Sequence, residues 1–361
     1  MEEMAVTTAI NPSGNFWCGK RVLITGHSGF KGSWLTLWIH RLGAEVTGVS
    51  LPPNTEPNLF SLAGIDQLCR SHFVDIRDEK AIAMHIKASR PEIVFHLAAQ
   101  PLVRASYRNP LETFSTNVMG TANVAEALKE LDGTRVAVFV TTDKVYQNRE
   151  WQWPYREDDS LGGHDPYSAS KAASEIIIAS YRQAFLSAQG IAVASARAGN
   201  VIGGGDWSED RLVPDAVRAW QAGIPLHVRN PGAVRPWQHV LEPLAGYLGL
   251  ARKLWEQPGL SGAYNFGPNA SEASTVRDLV ERAAAAYGKG KIDFADTHDG
   301  PHEAGQLALE NAKARLTLGI ESKWTLAQAI ELTMGWYRAL NDGADAHLLC
   351  EQDIDAYECL P

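Results

Sequence analysis

The stretch RVLITGHSGFKGSW, residues 21–34, determines how the rest of the chain is read. It opens on an apolar, β-branched run and closes on helical spacing, with Gly26, Gly29 and Gly32 at the junction. In such a strand–turn–helix the first glycine permits the tight turn and the second lets backbone approach a pyrophosphate. The third allows the helix to pack closely on the strand. The phosphates then lie on the amides of the helix N-terminus. The spacing is G-x-x-G-x-x-G, which purely structural turns also show; its place directly between strand and helix is what points to a dinucleotide. Inside the turn, His27 and Lys31 bring positive charge towards the phosphates.

A site of this type carries an acidic residue at the end of the second strand, where it holds the adenosine ribose. Here that strand is EVTGVS, residues 45–50, and Ser50 stands at its end, followed by LPPN. Glu45 lies at the wrong end. These residues therefore leave NAD and NADP both open. Asp75, expected to end a third strand, offers a hydrogen bond to the adenine amino group or a cap for the next helix.

Working outward, strands expected at 21–26, 45–50, 72–76, 92–98, 136–140 and 192–197 alternate with helical patterns at 33–42, 111–131 and 166–189. Alternation of buried strands with helices predicts an α/β fold, a Rossmann-type doubly wound parallel sheet covered on both faces. After Arg197 the texture changes to loops rich in glycine and tryptophan, GNVIGGGDW and NPGAVRPWQHV, set between helices. The expected division is a flexible tail at 1–15, a dinucleotide-binding domain at 16–197 with returning segments near 228–264, and a smaller, interleaved C-terminal α/β substrate lobe at 198–361.

Composition narrows the function. A net charge of −9 argues against a nucleic-acid surface, which needs clustered Lys and Arg, but not against a small anionic substrate. No run of 18 apolar residues suggests a membrane span. The first residues, MEEMAVTTAINPSG, lack the apolar core of a signal peptide. Cys18, Cys69, Cys350 and Cys359 lie far apart, apart from a loose terminal pair, and read as free thiols of a reducing cytoplasm. No metal site is expected.

Two short stretches carry the chemistry. In DPYSASKAASE, residues 165–175, Tyr167 and Lys171 stand four apart on a helix opened by Pro166, so they share a face. An ammonium near a phenol lowers the tyrosine pKa towards neutrality, which lets Tyr167 take a hydroxyl proton while hydride leaves the same carbon. In VTTDKVYQ, residues 140–147, Asp143 and Lys144 follow a buried strand. They are either a surface ion pair or an acid and a base. Trp151 and Trp153 either line a sugar pocket or pack their loop.

With these motifs placed, the chain resembles the extended short-chain dehydrogenase/reductase family over nearly its whole length. The shared stretches include HLAAQ (96–100), TNVMGT (116–121), YNFGP (264–268) and the Tyr–Lys pair. TGHSGFKGSWL, TTDKVY, RAGNVIGGGDW, VRPWQHVLEPL and HEAGQLALENAKARLTLG are similar to the sugar-nucleotide 4,6-dehydratases of that family, in the branch that takes CDP-glucose. The resemblance implies NAD that stays bound through a turnover, a homodimer or homotetramer, and a step of deoxysugar biosynthesis for cell-surface polysaccharide. It also implies roles for single residues. Gly26, His27, Gly29, Phe30, Lys31, Gly32, Ser50, Asp75, Ile76, Leu97, Ala98 and Ala99 would hold the cofactor, with Tyr167 and Lys171. Gln100, Arg104, Asn200, Arg211, Leu212, Arg235 and His302 would hold the substrate. His302 and Glu303 match the family's C-terminal pattern, and Glu303 has no assigned role. Thr142, Tyr167 and Lys171 would oxidise C4 of the sugar. Asp143 matches the dehydratase acid, and Lys144 replaces the glutamate base of the dTDP-glucose enzymes. Two other readings exist. A 4-epimerase needs neither Asp143 nor Lys144; against a non-catalytic redox-sensing or binding member stands the intact Thr142, Tyr167 and Lys171 set.

Overall fold

The first strand, β1 (Arg21–Thr25), is buried on both faces. Val22 and Ile24 enter one apolar layer with Trp34 and Trp38, while Leu23 enters another with Ile82 and Ile86. That period of two is what a strand covered by helices on each side requires. The structure is a computed structural model and describes residues 16–129, 131–269, 272–295 and 305–360. The tail expected at 1–15, and His302 with Glu303, lie outside the described residues.

After β1 come α1 (Phe30–Arg41), β2 (Glu45–Ser50), the short α2 (Leu59–Leu62), β3 (Arg70–Phe73) and α3 (Glu79–Ser89). β4 (Ile93–His96), α4 (Val103–Arg108), α5 (Pro110–Phe114) and α6 (Gly120–Leu128) follow. Then come β5 (Val136–Val140), α7 (Pro166–Tyr181) and β6 (Ala192–Ala198). Beyond them lie β7 (Val201–Ile202), α8 (Leu212–Gln221), β8 (Leu226–Val228), β9 (Val234–Arg235), β10 (Gln238–His239), α9 (Leu241–Glu256) and β11 (Gly262–Phe266). The chain ends with β12 (Ser274–Thr275), α10 (Val276–Tyr287), β13 (Ile292–Phe294), α11 (Ala312–Leu318), α12 (Leu326–Asn341) and α13 (Ala346–Glu358).

Seven strands form one parallel sheet in the order β11-β6-β5-β4-β1-β2-β3. The order reverses between β1 and β4, and ligands of such sheets bind in the crevice outside the strand ends at that point. Helices α3, α6 and α7 cover one face, with Ile82, Val124, Leu128 and Ile178 against Leu23, Val94 and Phe139. On the other face, Trp34 and Trp38 of α1 and Leu244 and Leu248 of α9 meet Val22, Phe95 and Val138. β11 returns from the C-terminal half to pair with β6. At the far end of the chain, Glu242 of α9 accepts from the amides of Lys323 and Trp324 and from the Tyr357 hydroxyl, which ties α13 to the body.

Two strands end two or more residues earlier than their sequence suggests. β3 stops at Phe73, because Val74 N makes the last bond to Ser50 O (2.8 Å) and Asp75 then turns back on the Arg77 amide (2.9 Å). β4 stops at His96, because the Ala98 amide leaves the ladder for Thr25 Oγ1 at 3.2 Å. The helical stretch at 111–131 runs through one π turn at Ser115–Met119 and ends at Leu128. The one at 166–189 is α-helical only to Tyr181.

Candidate active site

At the carboxyl end of the sheet lies a cleft of about 1250 Å³, bounded by the ends of β1, β4, β5 and β6 and by segments from the C-terminal half. The glycine turn forms one wall. Gly26 sits at φ +80°, and a Cβ there would lie 2.7 Å from Ala98 N; a Cβ on Gly32 would lie 2.0 Å from Gly26 O. These two glycines are demanded by the fold. Gly29 is different: a Cβ there would meet no protein atom closer than Gly26 O at 3.4 Å, so the protein leaves that space open. Gly29 is also the N-cap of α1, no side chain caps that terminus, and its first turn holds no acidic residue. The turn therefore fits a nucleotide pyrophosphate.

Around it, Phe30, Lys31, Ser50, Asp75, Ile76, Leu97, Ala98 and Ala99 all line the cleft. His27 does not. Its ring is buried beneath β2 and bonds Ser71 Oγ (2.7 Å) and Ser50 Oγ (3.1 Å). Burial pulls its pKa down to about 4, so the positive charge expected there is absent at neutral pH. Lys31 faces the opposite end of the cleft, among Arg211, Asp143, Lys171 and Asp206. Burial and the neighbouring cations bring its amine down to about 7. Asp75 does not cap α3; Asp78 does, and Arg77 forks both Asp75 oxygens.

The catalytic candidates converge. Asp165 caps α7 through the Ser168 amide and Pro166 opens it, which places Tyr167 and Lys171 on the face turned towards β5. Thr142 lies beside the Tyr167 hydroxyl, where it favours the phenolate, and Thr142 Oγ1 donates to Asp143 Oδ1 at 2.9 Å. The second Asp143 oxygen, Oδ2, is buried without a protein partner. Burial pushes the Asp143 carboxyl above its ordinary value, against the pull of Lys144, Thr142, Arg235 and Lys31. Lys144 is half-buried and lines the same cleft.

The expected softening of the phenol is not what this geometry gives. Lys171 Nζ donates to Val140 O at 3.1 Å, and burial drives Tyr167 up to about 12 while it drives Lys171 down to about 8. Desolvation outweighs the charge of a lysine one turn away.

Of the expected substrate residues, Arg104, Asn200, Arg211, Leu212 and Arg235 line the cleft. Arg104 and Arg229 both approach Asp210 Oδ1, at 3.7 and 4.0 Å, and Arg211 pairs with Asp206 at 3.2 Å. Gln100 stands apart: its amide is taken by Leu102 N, Leu102 O and Thr113 Oγ1, so it closes a turn and does not face the cleft. Trp151 stacks on Tyr155, Trp153 is exposed, and neither lines the cleft.

Other residues complete the site. The buried indoles of Trp207 and Trp237 line the cleft with unpartnered N–H groups. Under the site, Glu175 and Arg197 form a buried pair at 2.9 Å. Glu175 had a signal, since it continues the Tyr167 and Lys171 spacing by four residues.

The model of the NAD dependent epimerase/dehydratase family matches residues 22–267. The chain is 44% identical to the CDP-glucose 4,6-dehydratase of Salmonella typhimurium, over 95% of this chain and 97% of that protein. It is 29% identical to the dTDP-glucose 4,6-dehydratase of Xanthomonas campestris, over 87% and 92%. Among solved structures, the UDP-glucose-4-epimerase of Stenotrophomonas maltophila with bound NAD has a TM-score of 0.78 at 22% identity, covering 90% of this chain and all of the other. The dTDP-glucose 4,6-dehydratase of Bacillus anthracis in complex with NAD has a TM-score of 0.74 at 24% identity, covering 90% and 98%. At these identities the two structures speak for the fold.

Proposed function

We propose that this chain, which belongs to the NAD dependent epimerase/dehydratase family, converts CDP-glucose to CDP-4-keto-6-deoxyglucose and water. The observation that carries the reading is the Asp143–Lys144 pair at the end of β5, set beside Thr142 and Tyr167 in one cleft. Likeness to the Salmonella typhimurium protein supports the cytidine nucleotide.

When bound, NAD would supply the oxidant for C4, the hydride for C6, and a positive ring charge that would favour the Tyr167 phenolate. Gly26, Gly29 and Gly32 would hold its pyrophosphate, with Ser50, Asp75, Ile76 and Leu97 to Ala99 along its length. Tyr167 takes the O4 proton, with Thr142 beside its hydroxyl and the Lys171 charge nearby. The 4-ketone acidifies the C5 hydrogen. Lys144, in its neutral form, takes that proton, and Asp143, whose carboxyl burial pushes above its ordinary value, gives one through Oδ2 to the departing 6-hydroxyl. As C6 receives hydride, Lys144 returns its proton to C5, and the proton that Tyr167 took from O4 passes to the Asp143 carboxylate, which restores all three groups. Arg104, Arg211, Arg235 and Asn200 would take the substrate phosphates, where guanidinium forks suit phosphate oxygens.

Two further points belong to this reading. Leu111, Met119 and Ile176 are exposed on α5, the π turn and α7, which pack together, and this apolar face suits a second copy of the chain in a homodimer or homotetramer. No helix among the described residues is long and apolar enough to cross a membrane; the free cysteines suit a cytoplasmic enzyme.

The test is incubation with CDP-, UDP-, GDP- and dTDP-glucose, with loss of one water followed by mass spectrometry. Fast turnover of CDP-glucose alone is expected. Comparable kcat/KM with UDP-glucose overturns the cytidine assignment, and isomerisation without water loss makes the chain an epimerase.

A further inference from the structure

We propose that Glu175 is a positioning residue for the oxidation step: clamped by Arg197, Thr141 and Ser195, its carboxylate fixes the end of β5 against α7 and keeps the Lys171 amine charged. This rests on the roles of Tyr167 and Lys171 proposed above.

The geometry is direct. Glu175 follows Lys171 by four residues and Tyr167 by eight, so one stripe of α7 carries all three. Its carboxylate is buried and accepts from Thr141 Oγ1 at 2.5 Å, Ser195 Oγ at 2.7 Å, and Arg197 Nε and Nη2 at 3.0 and 2.9 Å. Arg197 is itself held by the Tyr146 hydroxyl (2.9 Å) and by Glu157 O (2.9 Å). Successive residues of an extended chain point to opposite sides. Thr141 therefore reaches down to Glu175, while Thr142 reaches up to Tyr167 and Asp143. The carbonyl just before them, Val140 O, receives the Lys171 ammonium. One buried carboxylate thus sets the height of the peptide on which the hydroxyl relay and the lysine both depend.

The charge argument runs the same way. The groups that face Lys171 are Glu175 on its own helix, His96 from β4 and Lys31 from α1. Lys31 repels it. His96, bonded to Thr25 and Thr121, is driven down to about 3 and is neutral. Among these, Glu175 alone favours the ammonium, and it stays ionised because Arg197 holds its carboxyl below the ordinary value despite burial. A buried ion pair of this kind adds little to stability over a well-packed neutral replacement, so removing both charges together spares the fold.

The experiment uses Glu175→Gln/Arg197→Met, Glu175→Asp and wild-type protein labelled with ¹³C at the lysine Cε, with Lys171→Met to identify the resonance. Lys171 is titrated by NMR without substrate. In parallel, the pH dependence of cofactor reduction by CDP-glucose is measured in a single turnover. Losing a nearby opposite charge lowers an amine pKa by about one unit or more. The double variant should therefore show the Lys171 midpoint and the alkaline limb of reduction moving down together by about that amount, with little change in melting temperature. Glu175→Asp should restore the wild-type midpoint while reduction stays slow, since the charge returns but the clamp is one methylene short. An unchanged midpoint in the double variant, or slower reduction with no shift of the limb, overturns the proposal. Absence of reduction in the wild type with any nucleotide-glucose overturns the dehydratase reading instead, and the titration still decides the role of Glu175.

Discussion

Gly29→Ala separates what the fold needs from what the cofactor needs. Gly29 has φ −82° and ψ 170°, an extended conformation open to alanine, and the added methyl meets nothing nearer than 3.4 Å. Two small terms then oppose each other. Alanine is a poorer N-cap than glycine, by roughly 0.5–1 kcal/mol, while it stiffens the unfolded chain, a gain of about 0.4–1 kcal/mol. The net is within about 0.5 kcal/mol of zero. With 361 residues, an unfolding entropy of about 2.1 cal/mol/K per residue turns that into less than ~1 °C in melting temperature. Cofactor binding should behave otherwise. The methyl fills the space a pyrophosphate would use, and each hydrogen bond lost to a charged phosphate is worth about 1.5–3 kcal/mol, so NAD affinity should fall by a factor of roughly 10 to 200. Thermal melting without NAD and isothermal titration with NAD measure the two quantities separately. If Gly29→Ala binds NAD within a factor of about 3 of the wild type, the turn is not the pyrophosphate site; if it melts many degrees lower, Gly29 is a structural glycine like Gly32.

Three other outcomes are expected. Tyr167→Phe should bind CDP-glucose and reduce no cofactor, whereas Asp143→Asn and Lys144→Met should reduce it in one burst and then stall, each with steady-state losses of about 10²–10⁴-fold; stopped-flow absorbance would show the burst, and near-normal turnover of Lys144→Met would move the base elsewhere. Asp353, buried 3.9 Å from His239 Nε2, has its carboxyl raised to about 7. From its unfolded value near 4 up to that pH the folded state holds the extra proton, so stability falls as pH rises through this window. Asp353→Asn should therefore raise resistance to urea at pH 8 and leave it unchanged at pH 4, and equal effects at both would show that ionisation is not the cause. Ile176→Glu should dissociate the oligomer in sedimentation velocity, and an unchanged sedimentation coefficient would place the interface on another face.

The sheet and the glycine turn were legible because buried strands impose runs that local sequence cannot hide: Val136–Val140 was bounded correctly from its five apolar residues. Strand ends were less so, since the Thr25 hydroxyl, and no property of Leu97 or Ala98, pulls β4 out of its ladder. Residue type also misled where burial decides. His27 reads as a cation next to phosphates, yet its ring lies under β2, where a Cβ on Gly48 would sit 2.3 Å away. Gln100 reads as a ligand, yet its amide is satisfied within two residues and by Thr113. Glu175 and Arg197 lie 22 residues apart on different elements, so their pairing is a product of topology. The pairings of β7 with β10, β9 with β12 and β8 with β13 are only two or three residues long and leave no periodic trace.

The Glu175–Arg197 pair also has a consequence for heat. The hydration of ions weakens as temperature rises, so the penalty for keeping this pair dry shrinks on warming, while apolar burial gains little more per unit area. The floor beneath Lys171 should accordingly hold its order late, and inactivation should begin in the loop around Asp210, whose contacts with Arg104 and Arg229 are long and partly solvated. Hydrogen exchange during a temperature ramp would show this as opening of the amides at 205–211 before those at 136–142; the reverse order would mean that the catalytic floor is the weak point under thermal stress.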